Sequence, residues 1–282
     1  LFGLALAAPA WAEVYVVGPA DYRQTLEALS PGDTLALDPG VYKKGLPLHG
    51  VRGERGGRIH IAGPENGAPA VFHAQKGQNV ISLKNAAWVT VRNLEIDGRG
   101  KAVDGVKAEG NSRFAHHITL QDLRIHNLKS HEQINGISTK CPAWSWVIRG
   151  NVIQDAGAGM YLGDSDGSAP FVAGRIEHNL IQDPIGYGIQ IKHQNPRPDL
   201  EGMPRSAQTT VIRHNVFAKT RNAGEGKWAR PSLLVGHFPP RGPGKNDDYA
   251  IYGNFFYRNP TERLFQGEGS VALYDNLFVN PD

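Results

Sequence analysis

The sequence predicts an all-β fold, a single-stranded right-handed parallel β-helix with a short N-terminal capping helix. Three observations predict it. The 282 residues include 34 Gly and 19 Pro, and both are poor in helix interiors. One pattern, apolar-x-apolar-x-Asn-apolar-apolar, recurs seven times along the chain, and self-similarity at such spacing marks stacked coils. Each copy alternates apolar and polar at period two, which is a strand period. No long 3.6-residue period supplies crossover helices. The missing G-X-Y period excludes collagen. An apolar fraction of 40% excludes a disordered chain.

The chain opens with an apolar run, residues 1–12, ending Ala10-Trp11-Ala12. This small-x-small ending reads as the remains of a signal peptide, with one β-helix domain over 13–282. Twelve residues are too few to span a bilayer. Cys141 is the single cysteine, so it forms no internal disulfide and reads as a small buried hydrophobe. Export without disulfides fits a bacterial periplasm or the cell exterior. Ala20 to Leu29 is the one plausible helix, placed to cover the open end of the core.

The seven copies begin at WVTVRNLEI (88–96) and end at VALYDNLF (271–278). Their polar pivots are Asn93, Asp122, Asn151, Asn179, Asn215, Asn254 and Asn276. Stacked coils place one position about 4.8 Å above the next. An inward Asn there can bond its neighbour in a ladder, and Asn tolerates the left-handed bend between strands. These residues are read as structural.

A second strand lies between most pivots. Val106, Ile137, Met160, Ile189 and Leu233 point inward on it, as do the residues two further along. The residues between them must then point outward. The first outward column is Lys107, Ser138, Tyr161, Gln190, Leu234. The second is Glu109, Lys140, Gly163, Lys192, Gly236, and the third is Gly110, Cys141, Asp164, His193, His237. Gly163 would open a groove between Lys140 and Lys192. The longest loops, 193–209, 219–231 and 237–247, leave the same face. They carry Arg197, Arg205, Trp228, Arg230 and other basic residues. Long irregular loops on a compact scaffold commonly carry function.

The net charge is 30 − 27 = +3, too balanced to call for nucleic acid. Basic side chains, a Trp and a groove suit an acidic polysaccharide, because aromatic faces cover sugar rings and guanidinium forks bind carboxylates. The expected protein is a monomer without a membrane span. Eliminative cleavage of a uronate polymer needs a group to neutralise the C6 carboxylate, a base for the C5 proton and an acid for the leaving oxygen. Lys192 is the base candidate. His193 or His237 is the acid candidate, with Tyr161 in reserve for either role. Lys140, Gln190, Arg197, Arg205, Arg213, Trp228 and Arg230 are the substrate-binding candidates, although an outward ion pair suits Arg213 on its pivot strand. Asp164 and Asp166, in the turn Asp-Ser-Asp-Gly, offer hard oxygens to Ca²⁺, although without further acids a plain turn explains them more simply. Hydrolysis needs two carboxylates, for which Asp164, Asp166 and Asp183 are available and Glu132 stands farther off.

The phrase SPGDTLALDPGVY (30–42) resembles the opening coil of the pectate-lyase-like superfamily. GIQIKHQ (188–194), VIRHNVF (211–217) and LLVGH (233–237) resemble part of the alginate lyase and chondroitinase B family. That resemblance implies a uronate lyase with Lys192 at the family's base position. Gly236 stands where the family has its acid arginine, and no calcium-binding Asn and Glu ladder is evident. It therefore implies either a mechanism in which His237 substitutes or a chain without the activity. Two rival readings stand beside it. One is a non-catalytic carbohydrate-binding or exopolysaccharide-processing β-helix. The other is a C5 epimerase, whose familiar Asp-Pro-His-Asp motif does not occur here.

Overall fold

A computed structural model describes residues 12–221 and 223–281. The signal-peptide reading falls, but for Ala12, outside the described residues. The chain coils into four wholly parallel sheets of 10, 9, 8 and 4 strands, the expected right-handed parallel β-helix. Each full coil supplies one strand to each of three walls. In one coil these are Val89–Arg92, Leu94–Asp97 and Val106–Ala108.

Period-two alternation puts one residue type in each interior column. Leu35, Ile61, Val91, Leu120, Ile148, Ile176, Ile212 and Ile251 are in consecutive register on the first wall. All eight are fully buried. No coil can bury such a face alone, so stacking creates the core. The phrase 30–42 does open the first coil, through Thr34–Leu37 and Gly40–Tyr42.

The ladder at the corner between the first two walls is present, with one correction. Asn151, Asn179, Asn215 and Asn254 each donate through Nδ2 to Oδ1 of the next Asn, at 2.8–3.0 Å. Each also donates to a backbone carbonyl of the preceding coil. The left-handed bend falls one residue earlier, at Gly150, His178, His214, Gly253 and Asp275. Asn93 and Asp122 themselves take that bend, with φ of 56° and 52°. The first two pivots therefore belong to the bend column, and Leu94 and Leu123 fill the ladder column, buried.

The N-terminal helix is shorter than predicted, Tyr22–Leu26. Beyond the helix the Asp33 carboxylate ties back Ser30 N at 2.8 Å and Glu13 N at 2.9 Å, which fixes the turn into the first wall. The helix still caps the core, with the Tyr22 ring edge-on to Tyr42 and Phe72 at 5.1 and 5.8 Å. The last coil, in contrast, leaves Leu273, Tyr274, Leu277 and Phe278 exposed.

The fourth sheet was not anticipated. It consists of two-residue strands at Ala86–Ala87, Ala115–His116, Ala143–Trp144 and Phe171–Val172. Runs of two residues are too short to show a period. His116 and His117 meet here, Nδ1 to Nδ1 at 2.8 Å. Their rings lie against Trp144 and Trp88.

Candidate functional site

The third wall carries the expected columns. Lys107, Ser138, Tyr161, Gln190 and Leu234 are in direct register. Past the strand ends the ladder continues from Lys140 N to Ala108 O, Lys192 N to Leu162 O and Gly236 N to Ile191 O. This fixes the second column as predicted. Gly163 has φ +97°, and a Cβ built there would sit 3.1 Å from the Lys192 Cβ. A side chain at 163 would press on Lys192, so the gap between the two lysines is a requirement of the packing.

A groove of about 770 Å³ runs along this wall. Lys140, Tyr161, Gln190, Lys192 and Arg230 line it, as expected, together with Tyr187 and Glu132. A smaller pocket of about 300 Å³ shares Tyr187, Gln190 and Lys192 with it and adds His193 and His237. The two imidazoles stack at 5.3 Å.

The groove's charges are positioned individually. Lys140 Nζ lies 3.6 Å from Asp164 Oδ1 and 3.7 Å from the Tyr161 ring centre. Burial pulls its ammonium below the ordinary lysine value, and Asp164 works against that. Burial pushes Tyr161 and Tyr187 above the ordinary tyrosine value, so both phenols stay protonated well above neutral pH. Arg230 lies 5.5 Å over the Tyr187 ring. Its backbone carbonyl accepts a 2.8 Å bond from Lys219 Nζ. Burial pulls that lysine down to about 7. The Lys192 ammonium makes no ion pair among the described residues.

Two carboxylates also face the groove, and they differ. Asp104 accepts from Asn135 N, Asn135 Nδ2 and Ser138 Oγ, and lies 3.4 Å from Lys107. It is committed to holding the wall. Glu132 is buried and lies over Gly186. A Cβ at 186 would be 3.3 Å from Glu132 Oε2 and 3.6 Å from Arg230 Cγ. The glycine thus lets both side chains close over it.

Several predicted residues lie elsewhere. Arg197 is buried and paired with Asp247, and it donates to the carbonyls of Pro204 and Ser206. It ties two loops together and does not line the groove. Arg205 is exposed beside Asp199 at 2.7 Å, in a separate loop depression. Arg213 lies on the first wall, held by Glu177 at 2.7 Å and by the Tyr252 hydroxyl at 3.0 Å. Trp228 sits in the 3₁₀ turn Gly226–Trp228, edge-on to the groove residue His131 at 5.8 Å, so it reaches the rim only. Cys141 turns inward from its column and is buried.

The Asp164–Asp166 turn does not fit Ca²⁺. Asp164 faces Lys140, and Asp166 Oδ1 accepts from Ser168 N and Oγ. No cluster of three metal-ligating side chains occurs among the described residues.

Tyr187, His131 and Lys219 were missed in the sequence, and Glu132, expected only as a more distant carboxylate, stands in the groove itself. Tyr187 carried a usable signal, an aromatic between two glycines just before an inward strand. His131 and Glu132 lie in a polar insertion that no column alignment reaches.

No family model and no curated protein matches this chain. Solved structures do. A GH136 lacto-N-biosidase from Eubacterium ramulus aligns with TM-score 0.54 and 15% identity, over 95% of this chain and 68% of its own. An alginate lyase from Paenibacillus sp. str. FPU-7 aligns with TM-score 0.52 and 17% identity, over 92% of this chain and 99% of its own. At such identity the likeness establishes the parallel β-helix fold, shared here by enzymes of different chemistry.

Proposed function

We propose that this protein is an exported, monomeric lyase that cleaves an acidic, uronate-containing polysaccharide by β-elimination. One observation carries the reading. An unpaired lysine, Lys192, projects into a groove beside two protonated tyrosines, with Lys140 and Arg230 as flanking cations. Arg230 and Lys140 bind the C6 carboxylate, which acidifies the C5 proton. The Lys192 side chain takes that proton. The C5–H electron pair forms the C4=C5 double bond, and the C4–O bond breaks. Tyr161 gives its hydroxyl proton to the leaving oxygen. His193 and His237, one pocket along, bind the neighbouring sugar. No helix among the described residues is long and apolar enough to cross a membrane.

Hydrolysis is disfavoured, because Asp104 is engaged by its donors and only Glu132 remains as a groove carboxylate. The test is incubation with alginate, pectate and glycosaminoglycans while following ultraviolet absorbance of the unsaturated product. Lys192→Ala should abolish the signal with the fold intact. No absorbance on any uronate polymer overturns the lyase reading. Deuterium uptake at C5 without cleavage would replace it with epimerisation, and retained binding alone with a carbohydrate-binding role.

A further inference from the structure

The first wall carries a second basic surface that the groove does not use. A shallow depression of about 530 Å³ is lined by Arg58, Arg92, Arg149 and Arg175, with His60 and Gln121 among them. No residue lining it is acidic or aromatic, and none also lines the main groove. We propose that this arginine strip is a separate binding site for a linear acidic polysaccharide.

The register sets its geometry. Arg92, Gln121 and Arg149 occupy successive rungs of one outward column, and Arg175 lies on the next rung beside Val147. His60 stands one rung before Thr90. The strip thus crosses five rungs, or about 19 Å at about 4.8 Å per spacing. That is long enough for several sugars in line.

Glu177, on the rung after Arg149 and already held by Arg213 at 2.7 Å, offsets only part of the charge. Arg92 meets Glu65 in an exposed pair at 2.5 Å, which water and salt weaken. Arg149 is braced by Gln121 through two bonds, at 2.9 and 2.6 Å. Arg58 donates to the His117 carbonyl at 2.6 Å and to the hydroxyls of Thr90 and Thr119. These neutral partners fix the guanidiniums and leave their charge in place. Arg175 is exposed and makes no ion pair among the described residues. The field reaches His60, whose imidazole is held low by burial first and then by Arg58 and Arg92. Guanidinium forks match carboxylate or sulfate oxygens in pairs. The lining carries no Trp, Tyr or Phe on which unpaired bases could stack, so the strip reads a polymer through its anionic groups, and duplex DNA is the rival that the test includes. A polymer held here while another stretch enters the groove gains effective concentration.

The site is tested by binding, so its failure is distinct from failure of the lyase reading. Calorimetry on the full chain would use polygalacturonate, chondroitin sulfate, neutral dextran and duplex DNA at two salt concentrations. Arg149→Ala/Arg175→Ala should weaken an acidic glycan about tenfold, as expected for losing charge-assisted contacts. It should also flatten the salt dependence and leave turnover of short oligouronates unchanged. Comparing the carboxylated and sulfated glycans identifies which anion the strip prefers. Should the double variant melt early, the exposed single variant Arg175→Gln reads the same loss. Unchanged glycan affinity overturns the proposal. So does tighter binding of DNA that the same substitutions abolish.

Discussion

The asparagine corner and the groove wall are built from the same coils, yet they behave oppositely from rung to rung. At the corner, Asn151 through Asn276 repeat one residue and one bonding pattern. On the groove wall the second column reads Glu109, Lys140, Gly163, Lys192, Gly236 and never repeats on adjacent rungs. Uniform columns satisfy their own polar groups and leave nothing over for a ligand. Variable columns place unlike groups a strand spacing apart, and that is where chemistry can collect. The buried and saturated Asp104 marks the border between the two regimes.

The contrast can be broken in graded steps. Lys192→Ala should have the largest effect, a loss of at least about a thousandfold in turnover if it is the general base, with melting unchanged. Asn179→Ala should do the reverse. It strips Asn151 N of its acceptor, takes one of two acceptors from Asn151 Nδ2 and removes the side-chain donor from the Ile148 carbonyl. Each buried orphan costs roughly 1–3 kcal/mol. Chemical denaturation should register that loss while turnover at low temperature stays near normal. Tyr161→Phe removes the acid but keeps the ring under Lys140, so turnover should fall about a hundredfold with little change in substrate affinity.

The smallest effect concerns acid stability at the fourth sheet. His116 and His117 are both lowered to about 4, by burial first. Their folded values lie below the unfolded one, so the unfolded chain binds more protons between about 6.5 and about 4. Stability should therefore fall as pH drops through that window and level off below it. His117→Asn should shallow the slope, as measured by denaturation at a series of pH values. An unchanged slope would place the acid sensitivity elsewhere.

Much of this was legible in the sequence, for a physical reason. Strand period and coil length are local properties, so the inward columns, the outward columns and the ladder could be aligned by pattern alone. The error at Asn93 and Asp122 arose because Asn and Asp serve the left-handed bend and the ladder equally well. Non-local pairings were not legible. Arg197 looks free in sequence, but its partner Asp247 lies 50 residues away in another loop. For Arg213 the strand position already pointed to an outward ion pair, and only the partner, Glu177, needed the coil to name it. Glu132 enters the groove from an insertion, and insertions have no register to follow.

Cys141 follows Lys140 directly and lies buried beneath the groove wall, and burial pushes its thiol up to about 12. A thiol in that state is inert to alkylating reagents until the wall opens and water reaches it. With one cysteine in 282 residues, the rate of labelling is a built-in clock for the opening of a single strand. Slower labelling in the presence of a bound oligosaccharide would measure how firmly ligand seals the wall, with no engineered residue.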